Sequence, residues 1–363
     1  MEALINRYRN PSADFAISNN NLSGPAPPQA PSSPSSVKDK ESIDKKAQVT
    51  RMRVIVLLKT WIEKYVDDFA EPGMPDLIVK FDQVVASQKD SFSIQKLLTK
   101  GQERKLSRVV VSKDAPRKSV DPHIILNVYS ALDIAKQITY IDIGLYKSIQ
   151  PREFVKESWI IKDVSNIRGM RDRSDELSKW TATAIIKTDN KDMRINLIQK
   201  FIEVAQACLT LKNFNGLFSI LAGLSHPAVE RLGHTFQGLK PSFTTSLKTM
   251  KELTSKDSNY KNYKSKIETT TPPLILYLEP FLEEIIYIDE SNQDIGKGGI
   301  INFTKHRQMA RIVKFLLQYQ HSNFSEIKPI DQLQDILLKS IVFDDEQLKK
   351  QSLLLEPPSS FIK

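Results

Sequence analysis

Cysteine is almost absent from this sequence. Cys208 is the single cysteine among 363 residues, so no disulfide can form within the chain, and its helical spacing from Phe201 and Val204 predicts a thiol packed in a core. Apolar runs fall far short of the ~18 residues of a membrane span. The first residues include Glu2 and Arg7 and lack the apolar segment of a signal peptide. We therefore expect synthesis in the cytosol and a cytoplasmic protein.

Patterns that mark covalent catalysis are also missing. Gly296, Gly298 and Gly299 lack the upstream glycine and the Lys-Ser/Thr ending of a phosphate-binding loop. Ser158 and Ser219 stand in no nucleophile-elbow pattern. The five histidines show no zinc-ligand spacing; they are His123, His226, His234, His306 and His321. The sequence therefore predicts no covalent enzyme chemistry, no metal site and no cofactor.

Positive charge is in excess, with 52 Lys and Arg residues against 43 Asp and Glu residues. The excess is concentrated in residues 96–118, where eight basic residues accompany only Glu103 and Asp114. This stretch lacks the interleaved aromatic residues of a nucleic-acid-binding protein, so we expect no nucleic-acid partner. We interpret it as a solvated linker. The alternative is a weak attraction to an anionic membrane surface, at about 1 kcal/mol per basic residue.

Helical patterns cover most of the remaining chain. The segment that begins at Arg53 places Val54, Leu57, Leu58 and Trp61 at steps of three and four residues, which predicts an amphipathic helix with these residues on its apolar face before the stop at Pro72-Gly73. Runs that alternate with period two are rare, so the predicted fold is all-α. The sequence predicts five parts. They are an unstructured Pro/Ser/Asn-rich segment (1–46), a short helical module (47–95), the basic linker (96–118), a helical domain (119–358) and a tail (359–363).

The stretch KNFNGLFSILAGLSHPAVERLGHTF, residues 212–236, is the most informative. Its apolar residues from Phe214 to Leu224 recur at helical spacing, which predicts a core helix. Pro227 ends that helix and begins a short new one. Asn213 and Asn215 lie near the helix start, where they fit either a helix cap or a polar contact with a partner.

Residues 240–266 have a different pattern. Phe243, Leu247 and Met250 form one narrow apolar stripe, and Tyr260 and Tyr263 belong to a second. The residues between these positions are polar and rich in lysine. Two helices with one narrow apolar seam each can pack on one another, so this segment predicts a protruding antiparallel αα-hairpin whose two stripes largely satisfy each other.

Three further blocks accompany residues 212–236: YIDIGLYKSIQPREFVKESW, IYIDESNQD and INFTKHRQMARIVKFLLQYQ. In this order the four blocks resemble the catalytic domain of Ras guanine-nucleotide exchange factors of the Son-of-sevenless type, and the resemblance covers about residues 121–358. In addition, RMRVIVLLKTWIEKYVDDF is similar to the second half of that family's N-terminal exchanger-associated helical module, and MEALINRY resembles the module's opening. The sequence therefore predicts a partial N-terminal module and a catalytic domain.

The resemblance implies a function. A chain of this family accelerates GDP release from a Ras-family small GTPase: the helical hairpin displaces the first switch of the GTPase, and a separate surface holds the second switch. It assigns the hairpin action to Leu247, Lys248 and Lys251. It assigns GTPase binding to Trp159, Asn213, Asn215, Arg231, Phe236 and Glu290. For Arg231 and Phe236, a GTPase contact and an internal support are equally compatible with the sequence. The resemblance is also compatible with recruitment of a cytoplasmic protein to the membrane where its GTPase is anchored.

The chain departs from the family at several positions. Leu276 stands where the family usually has proline, and Glu279 where it usually has glycine. Lys248 and Thr249 replace a carboxylate pair on the first arm of the hairpin. Steric displacement of the first switch does not require those carboxylates. These departures leave an alternative function, a non-catalytic adaptor that binds a GTPase without releasing its nucleotide.

Overall fold

The computed structural model describes residues 1–10, 37–64, 68–69, 72–87, 93–95, 98, 118–119, 121–155, 166–295 and 300–357. The chain divides into two compact units, Met1–Arg108 and Val109–Lys363. Each unit has a hydrophobic cluster of its own.

The first unit contains three described helices, α1 (Glu2–Arg9), α2 (Val37–Lys64) and α3 (Met74–Ser87). Helix α1 packs against both α2 and α3. The ring centroids of Tyr8 in α1 and Phe81 in α3 lie 5.3 Å apart. Trp61 in α2 donates from its Nε1 to Asp68 Oδ2 at 2.7 Å. The buried cluster of this unit consists of Ile5, Tyr8, Val54, Leu58, Ile62, Phe69, Ile78, Phe81, Val84, Val85 and Ile94.

This arrangement confirms one prediction for the first unit and corrects another. Val54 and Leu58 are buried on one face of α2, as their spacing predicts, whereas the prediction that Leu57 shares this buried face is wrong, because Leu57 is 52% exposed. The prediction that residues 1–46 are unstructured is wrong for residues 2–9 and 37–46, which are helical. The reason is that α1 buries Ile5 and Tyr8 against helices far away in the sequence, and local composition does not reveal such contacts. Residues 11–36 lie outside the described residues.

The second unit is almost entirely helical in its described part, which confirms the all-α prediction. Its helices are α4 (Pro122–Asn127), α5 (Ala131–Ser148), α6 (Asn166–Ile186), α7 (Lys191–Thr210), α8 (Phe214–Leu224), α9 (Pro227–Glu230), α10 (Gly233–Gln237), α11 (Pro241–Leu253), α12 (Asp257–Glu268), α13 (Glu279–Ser291), α14 (Phe303–Leu317), α15 (Asp331–Lys339) and α16 (Asp345–Leu355). Two 3₁₀ turns, Pro151–Phe154 and Gln318–His321, lie between them. The short strands β1 (Lys118–Ser119) and β2 (Ser340–Ile341) pair in parallel.

Helix α8 lies at the centre of this unit, packed against α6 and α7. Nine of its eleven residues are buried, so the helix is apolar nearly all round, as expected for a central element. Gly223 allows the close approach of α8 to α6, because a Cβ at this position would lie 2.5 Å from the carbonyl oxygen of Ser178. Trp180 of α6 and Phe201 of α7 pack edge to face in the main hydrophobic cluster, with centroids 5.5 Å apart.

Two of the predicted segments fall mostly or entirely outside the described residues. Of the basic linker at residues 96–118, only Leu98 and Lys118 are described, and the tail at residues 359–363 is not described. The boundaries of the linker and the tail therefore stay predictions.

Candidate functional site

The start of α8 is held by a tight connection from α7. Lys212 adopts a left-handed conformation with φ of 58°. Its backbone N–H donates to the carbonyl of Leu209 at 3.0 Å, and the N–H of Asn213 donates to the carbonyl of Cys208 at 2.8 Å. This pair of bonds is the Schellman motif that ends a helix. The connection therefore turns the chain directly from the end of α7 into α8.

Asn213 lies in the interior and caps α8. Its Oδ1 accepts from the N–H of Gly216 at 2.9 Å, and its Nδ2 donates to Asp142 Oδ2 at 2.9 Å and to Thr139 Oγ1 at 3.2 Å. The side chain is fully buried. The structure thus confirms that Asn213 caps a helix. Its side chain is not exposed, although the resemblance assigns Asn213 to the GTPase-binding surface.

Asn215 also lies below the surface, but it lines a cavity. Its Oδ1 accepts from Ser174 Oγ at 2.9 Å, and its Nδ2 has no hydrogen-bond partner among the described residues. The cavity has a volume of about 340 Å³. Its walls come from α6, α8, the start of α13 and the turn between α11 and α12. We call it the Asn215 cavity.

Helices α11 and α12 form the predicted hairpin, and their bounds agree with the two apolar stripes. The second stripe, however, packs on the core. Tyr263 is fully buried and its ring contacts those of Phe214 and Phe218, with centroids 5.4 and 5.0 Å away. The Tyr263 hydroxyl accepts from the N–H of Tyr277 at 2.7 Å. The expectation that the two stripes mainly satisfy each other is therefore corrected.

The turn of the hairpin contains three consecutive residues with left-handed backbone conformation. The φ values of Ser258, Asn259 and Tyr260 are 51°, 58° and 57°. This conformation costs roughly 1 to 2 kcal/mol per non-glycine residue, so neighbouring contacts must hold it. Tyr260 is buried, and burial raises the pKa of its hydroxyl to about 12, with Glu283 and Glu279 adding to the effect. Asn262 Nδ2 also donates across the hairpin to the carbonyl of Glu252 at 2.9 Å.

The residues assigned to the hairpin action differ in exposure. Leu247 is buried and belongs to the main hydrophobic cluster, whereas Lys248 is exposed. Lys251 Nζ lies 2.9 Å from Glu230 Oε1. All three line an open hollow of about 510 Å³ on the hairpin. The two lysines, and not Leu247, therefore present this face to solvent.

Arg231 is an internal support in this structure. Its Nη1 donates to the carbonyl and the hydroxyl of Ser352 at 2.8 and 3.0 Å, and its Nη2 donates to the carbonyl of Glu356 at 2.7 Å. The Glu356 carboxylate in turn accepts from the N–H groups of His234 and Thr235 at 3.0 Å each. These bonds tie the end of α16 to the segment that leads into the hairpin. Phe236, on that segment, is half-buried against the main cluster.

Glu290 is exposed near the end of α13. The corner that follows is held by Lys305, which is buried and forms ion pairs with Asp289 and Asp294. These pairs tie the start of α14 to the end of α13 beside Glu290. Trp159 lies outside the described residues, so its assigned role stays a prediction.

Several residues of the site were missed by sequence reasoning. Tyr277 stacks on Phe218 with centroids 4.0 Å apart, and Arg171 Nη2 lies 2.9 Å from Glu279 Oε1. All four residues line the Asn215 cavity. Glu279, which stands where the family usually has glycine, is thus the first residue of α13 and forms an ion pair with Arg171 of α6. The departure at Glu279 was the only feature of the sequence that drew attention to the Arg171–Glu279 ion pair, because nothing in the sequence relates position 171 to position 279.

Residues 133–307 match the family model described as the RasGEF domain. The chain contains a RasGEF domain. The matched residues include α8, the hairpin, the Asn215 cavity and the corner at Glu290. Among the described residues, no helix is both long and apolar enough to cross a bilayer. In the same part of the chain, no group of three or more His, Cys, Asp or Glu side chains is placed to hold a metal ion.

The chain is also similar to curated exchange factors. Ras guanine nucleotide exchange factor A of Dictyostelium discoideum is 29% identical over 336 residues, which cover 85% of this chain and 55% of that relative. Ras-specific guanine nucleotide-releasing factor 1 of Mus musculus is 26% identical, over 88% of this chain and 26% of the relative. Protein son of sevenless of Drosophila melanogaster is 26% identical, over 85% of this chain and 21% of the relative. The chain thus spans between a fifth and about half of these relatives.

Proposed function

We propose that this protein accelerates GDP release from a Ras-family small GTPase. The observation that carries the proposal is that the RasGEF match, residues 133–307, contains both the Asn215 cavity and the hairpin. The relatives, which are named as Ras exchange or releasing factors, support the same class of partner.

In the proposed mechanism, the two parts of the site act on different regions of the GTPase. The second switch binds at the Asn215 cavity, while the hairpin face with Lys248 and Lys251 displaces the first switch. Because the factor binds the nucleotide-free GTPase more tightly than the loaded one, its binding weakens the hold on GDP. Each tenfold acceleration requires about 1.4 kcal/mol of barrier lowering.

The hairpin is suited to this task by its anchoring. The contacts of Tyr263 with Phe214, Phe218 and Tyr277 fix α12 on the core. An element that pushes on a partner must resist displacement itself, and a buried aromatic cluster provides that resistance. The departure at Glu279 is compatible with this anchoring, because its bond to Arg171 fixes the start of α13 beside the cavity.

Release of a fluorescent GDP analogue from a panel of Ras, Rap and Ral GTPases tests the proposal. We expect at least one GTPase to lose its nucleotide tenfold faster or more with the full chain present. Release at the uncatalysed rate from every GTPase of the panel would contradict exchange activity. If a GTPase binds tightly but its release rate is unchanged, the chain is the non-catalytic adaptor, which the replacement of the hairpin carboxylates by Lys248 and Thr249 favours.

A further inference from the structure

The Glu356 carboxylate lies beyond the residues that match the RasGEF family model, and it caps a helix beside the hairpin. Glu356 follows the last residue of α16, and its side chain is 10% exposed. Its Oε2 accepts from the N–H of His234 at 3.0 Å, and its Oε1 accepts from the N–H of Thr235 at 3.0 Å. These N–H groups belong to the first turn of α10, where a helix lacks intrahelical acceptors. Leu232, the N-cap residue of α10, supplies no side-chain cap, so the cap comes from a distant part of the chain.

Thr235 and Arg194 complete this cap from the core. The Thr235 hydroxyl donates to Glu356 Oε1 at 2.7 Å and accepts from Arg194 Nε at 3.0 Å. Arg194 Nη2 lies 3.8 Å from Glu356 Oε1, and Arg194 Nη1 donates to the carbonyl of Thr188 at 2.7 Å. Arg194 and Thr235 are both buried, and hydrogen bonds to ionised groups are stronger than neutral ones. We call the group of Arg194, Thr235 and Glu356 the Glu356 cap.

The Glu356 side chain is not needed to attach α16 to the domain. Arg231 Nη1 donates to the carbonyl and the hydroxyl of Ser352, and that hydroxyl donates to the carbonyl of Ala228. Arg231 also holds the backbone carbonyl of Glu356. None of these bonds uses the Glu356 carboxylate. The carboxylate instead acts on α10, so its role differs from that of Arg231.

The direction of α10 determines where the first arm of the hairpin begins. Only residues 238–240 connect α10 to α11. At Gly238 an added Cβ would lie 2.3 Å from Ile195 Cδ1, so the connection runs close against α7. Helices α10 and α11 both pack on α7. A shift of α10 therefore moves the start of α11 along α7, and with it the face that carries Lys248 and Lys251.

We propose that Glu356 is a positioning residue that holds α10, and through it the hairpin, in the orientation required for GDP release. The inference rests on the proposed function, since the hairpin acts on a GTPase only if the chain is an exchange factor. It extends the functional part of the chain past the family match, which ends at residue 307. An acting group displaced by about 1 Å can lose up to about 10²-fold in rate. A loosened hairpin should therefore release GDP more slowly even when the domain is folded.

Titration of the full chain, in excess, against a fixed low concentration of GTPase tests the proposal. The GTPase is one chosen by the release assay and loaded with a fluorescent GDP analogue, and the variants are Glu356→Ala and Glu356→Gln. Unfolded factor raises only the concentration needed for half-saturation, whereas the release rate at saturation is a property of the folded complex. We expect Glu356→Ala to lower the saturating rate roughly tenfold. Glu356→Gln keeps an acceptor oxygen for Thr235 and should recover part of that loss.

The other end of α16 supplies a matched control. Asp344 is exposed, is the N-cap residue of α16 and accepts from the N–H of Gln347 at 2.8 Å. Asp344→Ala should lower the melting temperature, as the loss of a cap does, and leave the saturating rate unchanged. Hydrogen exchange in α10 and α11 should become faster in the Glu356 variants and not in this control. If Glu356→Ala does not fold, Thr235→Val replaces it, because it removes only the hydroxyl of the Glu356 cap, and the saturating rate should then fall severalfold.

The outcomes separate this role from the proposed function. If wild type accelerates release and Glu356→Ala reaches the same saturating rate, Glu356 only stabilises the fold and the positioning role is wrong, although the proposed function stands. An equal loss in Asp344→Ala would assign the effect to α16 as a whole and overturn the role of the carboxylate. If wild type accelerates release from no GTPase of the panel, both claims are overturned. A lower saturating rate with faster exchange in α10 and α11, confined to the Glu356 variants, supports the positioning role.

Discussion

Asn213 and Asn215 lie two residues apart on the first turn of α8, yet their side chains have different surroundings. The polar atoms of Asn213 bond to Gly216, Asp142 and Thr139 inside the domain. The Nδ2 of Asn215 lies near the Asp142 carboxylate but makes no well-formed hydrogen bond among the described residues, and the side chain lines a cavity. A donor that is left unpaired beside a cavity is costly unless a partner supplies the acceptor. At this scale, Asn215 is the better candidate for a contact and Asn213 for a support.

Alanine substitutions should separate these two roles. Asn213→Ala removes a helix cap and a buried bond to a carboxylate, so we expect a loss of about 2 to 3 kcal/mol in the free energy of unfolding. Asn215→Ala should change the melting temperature less and weaken GTPase affinity about thirtyfold, or ~2 kcal/mol. Thermal melts and nucleotide-release rates check both. Equal losses of stability and activity in Asn215→Ala would assign it to the core instead.

Arg231 provides a second test of support against contact. Its guanidinium donates three hydrogen bonds to the end of α16, and Lys cannot reproduce that planar geometry. We therefore expect Arg231→Lys to lower the free energy of unfolding by about 1 to 3 kcal/mol, with release rates that follow the folded fraction. A release rate that falls tenfold at an unchanged melting temperature would show that Arg231 contacts the GTPase.

At the scale of elements, the two helices of the hairpin have different roles. Helix α12 anchors the hairpin on the core, and in our proposal α11 acts on the GTPase. Tyr260, Tyr263 and Ile267 of α12 belong to the main hydrophobic cluster. Replacing the whole hairpin by a short link would therefore expose Phe214 and Phe218, and a loss of activity would not separate the lever from the fold. Changes on the exposed face of α11 give a cleaner test.

Charge reversal at Lys248 is that test. Lys248 is exposed and lines the open hollow on the hairpin, so Lys248→Glu should move the melting temperature by no more than about 1 to 2 °C, as surface changes usually do. We expect the GDP-release rate to change severalfold. The control is Lys261→Glu, another exposed position, on α12 and outside that hollow. If both variants release GDP at the wild-type rate, the charge on the α11 face has no part in exchange.

At the scale of the whole molecule, the chain holds two hydrophobic clusters in two units. The cluster of the first unit depends on α1, whose Tyr8 packs on Phe81. Composition favours disorder for residues 1–46 because most of that stretch is polar or proline-rich. Eight residues at its start nevertheless form a helix that completes the first unit.

Truncation of Tyr8 should therefore act on the first unit alone. Tyr8→Ala removes a fully buried aromatic side chain, which typically costs about 3 to 5 kcal/mol. Hydrogen exchange followed by mass spectrometry should show faster exchange in α1, α2 and α3, with α8 unchanged. Arg9→Ala, an exposed position on the same helix, is the control and should leave exchange as in wild type. Unchanged protection of α2 and α3 in Tyr8→Ala would show that α1 is dispensable for the first unit.

The sequence by itself determined the helical segments, the bounds of the hairpin and the order of the four blocks. These features depend on the spacing of apolar residues along one stretch, and that spacing is visible locally. The tertiary structure alone decided that Asn213 is internal, that Asn215 lines a cavity, that Arg231 supports α16 and that α12 packs on the core. The surroundings of a polar side chain depend on which distant elements pack over it. The local sequence around Asn213 and Asn215 does not contain that information, so it cannot distinguish the two asparagines.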